Sequence, residues 1–274
     1  MLLASVQNST ATEITETHLL SIGICPPWKP HPSSTCTNSI NSVGEGLIKR
    51  IGIRPENWHK LLNADATTAG LFETLDTLSR ELGPTDRLIV HANLHAGSLD
   101  PSKPAGPGND VFVLWSVEKP AVMAFAVAQG LWIQASEFAG RVHKIPAGEV
   151  VLILDACESG AVSPLFLNAH SDDDKARPEA VVTSAKADQL ANVSADGTSA
   201  LYSQILGNTL LSETGPFSRT LSVAASRVEA SAIPICEKLA GDLKKFGLKP
   251  DACNQQPTQH DPDGILSRLQ LKAP

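Results

Sequence analysis

Apolar positions along the chain follow two alternating patterns. Short unbroken runs sit at 18–25 (HLLSIGIC), 87–94 (RLIVHANL), 110–116 (DVFVLWS), 149–154 and 180–184 (AVVTS), and each is bounded by turn residues or charge. Runs of this length rich in Val, Ile and Leu predict buried strands, and 58–62 predicts an edge-like strand. Between them, apolar residues recur at three and four: Ile40, Val43, Leu47, Ile48 and Ile51, then Leu71, Leu75, Leu78 and Leu82. That spacing predicts helices over 38–51 and 66–82, the second stopped by Gly83-Pro84. Further helices are predicted at 136–144, 199–211 and 217–246, the last with a break near Ile233-Pro234, and the tail from Lys249 reads as loop.

Strands alternating with helices predict an α/β fold with a mostly parallel sheet, helices on both faces, and ligands bound beyond the carboxyl ends of the strands. The polar segment 167–178 (LNAHSDDDKARP) predicts an exposed loop. It divides one domain spanning 1–274 into a larger part, about 15–170, and a smaller part from 179 onward. No internal repeat is present.

Composition narrows the function classes. At 274 residues with 42% hydrophobic content the chain is long enough for a substantial core. The formal net charge of −7, with Lys and Arg scattered, argues against nucleic acid as a partner. No stretch reaches the roughly 18 apolar residues of a membrane helix, and the first residues lack the basic flank and apolar run of a signal peptide. No membrane partner and a cytoplasmic location are therefore expected. The five cysteines, at 25, 36, 157, 236 and 253, show no zinc-ligand spacing, and their odd, dispersed set suits a reducing compartment. Four of them read as small buried apolar residues.

Cys157 is the exception. It lies in Asp155-Ala156-Cys157-Glu158-Ser159-Gly160, directly after the most apolar run, which places it at the mouth of the sheet. A thiol with an ordinary pKa of about 8.5 needs a base near neutral pH, and imidazole suits that task. His95 stands just past the carboxyl end of another predicted strand. If the two strands are neighbours, thiol and imidazole share one crevice. His91 reads as a packing residue on the same strand, and His18, His31, His59, His143, His170 and His260 lack comparable context.

These residues resemble the caspase and metacaspase superfamily of cysteine peptidases, in the form of a prokaryotic-type minimal caspase-like protease, over most of the chain. The resemblance is carried by Asp65-Ala66-Thr67, by the segment 86–97 ending in a His motif, and by Asp-x-Cys-x-Ser-Gly at 155–160. It continues through Thr183-Ser184-Ala185-Lys186-Ala187-Asp188-Gln189, the helix of 197–210, and Gln256-Pro257. Two phrases depart from the family pattern. Its Ser-Gly-His-Gly is Asn93-Leu94-His95-Ala96 here, and its Asn-Asp-Ala is Asn41-Ser42-Val43.

The resemblance implies a three-layer α/β/α fold around a six-stranded sheet, and acyl transfer by a Cys157–His95 dyad. It implies an oxyanion hole formed by the N–H groups of Cys157 and Ala96, each such donor being worth about 3 kcal/mol. Ala96 retains the N–H that the family's glycine supplies, with Gly97 lending flexibility. Asp155 and Asp188 match the pocket for the residue preceding the cut, where two carboxylates favour Arg or Lys over Asp or Glu. Lys175 and Arg177, in the exposed loop, are candidate self-cleavage sites. The neighbouring Asp172, Asp173 and Asp174 raise calcium activation as an expectation beside a solvated loop; no other cofactor or metal is expected. Protein substrates, and an activating protein or upstream protease in a regulated stress or defence pathway, complete the implied partners. From another class, a catalytically silent caspase-like module that only binds a partner fits the same fold. A different α/β hydrolase or transferase lacks its nucleophile elbow here.

Overall fold

The computed structural model describes residues 13–273 except 30, 101, 104, 107, 121–122, 168–176 and 246. Its centre is a six-stranded sheet in the order β10-β8-β7-β3-β1-β2. The strands are β1 (Glu16–Gly23), β2 (Trp58–Leu62), β3 (Asp86–Asn93), β7 (Glu149–Asp155), β8 (Glu179–Thr183) and β10 (Thr258–His260). Five run parallel, and β10 pairs antiparallel with β8.

Alternation along these strands builds both faces. Leu20, Ile22, Leu88, Val90, Ala92, Val150, Leu152 and Leu154 face one way, onto α2 (Thr68–Glu81) and α4 (Ala135–His143) through Leu71, Leu75, Leu78, Phe138 and Val142. Leu19, Ile89, Val151 and Ile153 face the other way, onto α1 (Ser33–Ile51), α6 (Leu201–Ser212) and α7 (Phe217–Lys245) through Val43, Leu47, Leu206, Leu210, Leu221 and Val228. The result is the three-layer α/β/α arrangement. Helix α2 starts one residue after Thr67, whose side chain accepts the Gly70 N–H at 3.2 Å, so the Asp-Ala-Thr phrase supplies an N-cap.

Four sequence expectations need correction. The run 110–116 does not join the main sheet. Its first part forms β5 (Asp110–Val113), which lies between β4 (Ala96–Ser98) and β6 (Trp132–Gln134) in a small antiparallel sheet. The sixth place goes to β10, three polar residues inside what read as a loop-like tail. Helix α7 also runs through Pro234 unbroken. Proline removes one N–H donor, but both Pro234 and Ala230, whose carbonyl loses its partner, are exposed, so water satisfies the freed group.

The fourth correction concerns the cysteines. Cys25 is disulfide-bonded to Cys36 and Cys236 to Cys253, with Cα separations of 5.7 and 5.2 Å. Dispersion in sequence hid two pairs that the fold brings together. Bonds of this kind persist in oxidising compartments, which removes the cysteine argument for a cytoplasmic location. Among the described residues no helix is long and apolar enough to cross a membrane.

Candidate active site

Strands β3 and β7 are adjacent and parallel, with Asn93 opposite Asp155 in register. Two residues further along each chain stand His95 and Cys157. Both residues therefore leave the sheet at the same end, from neighbouring strands. They line one cavity of about 160 Å³ together with Asn93, Asp155, His31 and the Cys25–Cys36 pair.

The turn after β7 shows why the Cys-x-Ser-Gly phrase has its residues. Glu158 adopts a left-handed conformation (φ 55°), and its N–H donates to the Gln189 carbonyl at 2.7 Å. The Ser159 hydroxyl bridges the backbone of Ala185, donating to its carbonyl at 3.3 Å and accepting from its N–H at 3.2 Å. A Cβ on Gly160 would lie 2.8 Å from the Ala187 nitrogen and 2.9 Å from the Lys186 carbonyl carbon. Ser159 and Gly160 thus pin the Cys157 turn to the loop after β8.

Electrostatically the resting pair is neutral. Burial pushes the Cys157 thiol above its ordinary value, with the charges of Glu158 and Asp155 adding; the Ala191 N–H and Lys29 oppose this. Burial lowers His95 to about 4, and the positive charges of Lys29 and His31 add to it. His95 Nε2 is buried without a partner. Where β4 begins, the Val113 N–H donates to the His95 carbonyl at 2.9 Å and Ala96 pairs with Phe112. That antiparallel pattern turns the Ala96 N–H away from β5.

Asp155 forms part of the cavity and is only 1% exposed. Its Oδ2 accepts the Ser203 hydroxyl at 2.6 Å and the Ser203 N–H at 3.0 Å, while Oδ1 has no partner. Burial raises its pKa against these hydrogen bonds and that of Ser184. With the Ser203 proton committed to Asp155, His91 Nε2, at 3.2 Å, is the donor to Ser203 Oγ. His91 is therefore a buried member of this chain, and burial holds its pKa down at about 3. Asn93 Nδ2 donates to the Asp155 carbonyl at 3.2 Å and leaves a second buried oxygen, Oδ1, unpaired beside the cavity.

Other sequence-predicted residues are not brought here. Asp188 is exposed, stands 3.8 Å from Lys249, and does not line the cavity. The turn that follows Ala185 carries it outward into solvent. Arg177 is held within the fold: its Nε donates to Glu179 Oε1 at 2.9 Å and its Nη2 to the Val142 carbonyl at 2.9 Å, with Nη1 on the Ile145 carbonyl. A residue so engaged is not presented as a cleavage site. Lys175, the acidic triplet Asp172–Asp174 and His170 lie outside the described residues. Among those described, no cluster of three or more His, Cys, Asp or Glu side chains forms a metal site.

Two residues at the site had no sequence signal. His31 lines the cavity, and Lys29 lies close enough to act on both Cys157 and His95. Both come from the proline-rich loop between β1 and α1, where periodicity is silent.

No family model matches the sequence, and no curated protein does. Among solved structures, a crystal structure of a protein from Geobacter sulfurreducens is similar with a TM-score of 0.58 at 12% identity, covering 94% of this chain and 100% of that chain. Caspase-1 from Spodoptera frugiperda gives a TM-score of 0.42 at 10% identity, covering 92% of this chain and 88% of that chain. The first is a likeness of fold, and the second is too distant to carry an argument.

Proposed function

We propose that the chain is a caspase-like cysteine endopeptidase that cleaves proteins after Arg or Lys. The single observation that carries this reading is the register of β3 on β7, which sets His95 and Cys157 at equal steps beyond Asn93 and Asp155 and in one cavity. In the proposed reaction His95 takes the thiol proton as sulfur bonds to the peptide carbonyl carbon. The oxyanion lies against the N–H groups of Cys157 and Ala96. The C–N bond then breaks, the His95 proton passes to the leaving amine, and water hydrolyses the thioester.

Preference for a basic residue rests on Asp155 alone, since Asp188 is in solvent. A buried carboxylate with one unpaired oxygen gains from a cation and penalises an acidic side chain. An activating protein or upstream protease supplies the trigger in this proposal, with calcium as the alternative to be assayed.

The test uses peptide amides differing only in the residue before the cut, with and without calcium. Arg and Lys amides are expected to be cleaved, and Asp amides not. Cys157→Ala should reduce turnover roughly a thousandfold or more. Turnover surviving that change would remove the assignment of the nucleophile. Tight peptide binding with neither cleavage nor labelling of Cys157 by a peptide electrophile would establish the silent binding module instead.

A further inference from the structure

Asp155 is held from behind by two side chains that do not reach the cavity. Alternation along the strands turns His91 of β3 and Asp155 of β7 to the same side as Ile89, Val151 and Ile153, toward α6. In register His91 is opposite Ile153 and Asn93 is opposite Asp155, so the imidazole and the carboxylate are diagonal neighbours on adjacent strands. Ser203, the third residue of α6, bridges them: its Oγ lies 3.2 Å from His91 Nε2 and 2.6 Å from Asp155 Oδ2. Both His91 and Ser203 are fully buried, and neither lines the cavity that holds Cys157.

Proton counting fixes the direction of the chain. Ser203 has one hydroxyl proton, given to Asp155, so its oxygen accepts the Nε2 proton of His91. That tautomer leaves His91 Nδ1 without a proton, and Nδ1 is the ring atom with no partner. The Ser203 N–H, a first-turn donor of α6 with no acceptor inside the helix, gives Oδ2 a second bond at 3.0 Å. The amino end of the helix also favours a charged carboxylate there. With Oδ2 doubly engaged the carboxylate is fixed in rotation, and Oδ1, which has no partner, is the oxygen left for a ligand. Without Ser203, burial would favour the neutral acid.

We infer that Ser203, aligned by His91, is a positioning residue for substrate choice: it fixes Asp155 so that Oδ1 meets the cation of an Arg or Lys before the cut. The inference rests on the peptidase reading, with Asp155 as the partner of that cation. It places the origin of the basic preference in two residues that do not touch the substrate. Among the described residues Ser203 is the one hydrogen-bond partner of the His91 ring, so an imidazole set in the apolar layer between the sheet and α6 has this serine alone to orient.

The experiment compares peptide amides ending in Arg with otherwise identical peptides ending in citrulline, which has the shape of arginine without its charge. The measure is the ratio of the two kcat/KM values, which cancels the fraction of protein that is folded and active. In Ser203→Ala the wild-type preference for Arg should fall by about tenfold or more, with the loss appearing mainly as a raised KM for the Arg peptide. His91→Gln, which keeps a donor for Ser203, should retain the wild-type ratio, and His91→Leu should lower it severalfold. In an Asp155→Asn background, Ser203→Ala should change the ratio no further, because Ser203 acts through Asp155. A Ser203→Ala ratio equal to that of the wild type, or a further fall in the Asp155→Asn background, overturns the inference and leaves the peptidase reading standing. A wild-type ratio in His91→Leu removes His91 from the inference. Wild-type protein that cleaves both peptides equally overturns Asp155 as the partner of the cation, and the inference with it. Wild-type protein that cleaves neither overturns the peptidase reading as well.

Discussion

Cys157 is the one cysteine of five outside a disulfide, so its chemistry is directly readable. Native protein should titrate one thiol and reduced, unfolded protein five. The pH dependence is fixed by the site's charges. Burial holds the thiol up and the imidazole down, so between pH 4 and the thiol's raised value the pair is uncharged. Alkylation of Cys157 by iodoacetamide should therefore climb with pH to a midpoint above the ordinary value of about 8.5. A thiolate–imidazolium pair would give instead a rate already on a plateau near neutrality, and finding that plateau would refute the neutral pair. The same neutrality leaves the His95 imidazole unprotonated and able to accept the thiol proton, while a value near 4 makes it a weaker base than an imidazole of ordinary pKa.

At the scale of elements, the Cys25–Cys36 bond links the exit of β1 to the first turn of α1 across 11 residues and forms one wall of the cavity that holds Cys157 and His95. Closing a loop of this size contributes about 2–4 kcal/mol. Cys25→Ala combined with Cys36→Ala should lower stability to denaturant by that order. It should raise KM more than it lowers kcat, since the bond shapes the cavity and touches no reacting atom. An unchanged denaturation midpoint would show that the bond does not form in the folded protein. Neither disulfide was legible in the sequence, because spacing along the chain says nothing of which loops a parallel sheet brings together. The legible parts were those with strong local pattern. The buried runs of β1, β3 and β7 and the 3–4 spacing of α1 and α2 placed those elements within a few residues. The Asp-x-Cys-x-Ser-Gly phrase located the turn at the mouth of the sheet, because Ser159 and Gly160 are there for a tight turn. Asp188 went astray because a short motif fixes sequence, while a turn decides which way a side chain points. β10 was missed for want of any apolar residue, and α7 was cut at Pro234 because exposure of the freed carbonyl is a tertiary fact.

The whole molecule divides its polar groups between the two edges of the sheet. At the amino edge, buried Glu149 accepts Arg87 at 2.6 Å and Arg268 at 2.8 Å, and buried Glu179 meets Arg177 at 2.9 Å and His143 at 3.3 Å. At the carboxyl edge, Asp155 Oδ1, Asn93 Oδ1 and His95 Nε2 are buried and unpaired. Unpaired buried polar atoms cost stability, and these three come together on the cavity that holds Cys157. His91 carries this asymmetry into a global measurement. Its pKa is near 3 folded and about 6.5 unfolded, so between those values the unfolded chain binds one proton more. Its contribution is fully present above pH 6.5 and is lost as pH falls toward 3, at about 1.4 kcal/mol per pH unit. His91→Gln keeps a donor for Ser203 and removes the titration. Urea unfolding of wild-type and variant from pH 7 to pH 4 should give free energies whose difference shrinks by that slope as the solution is acidified. Parallel curves would mean that His91 takes up its proton in the folded state, and that the chain from His91 through Ser203 to Asp155 is a charged one.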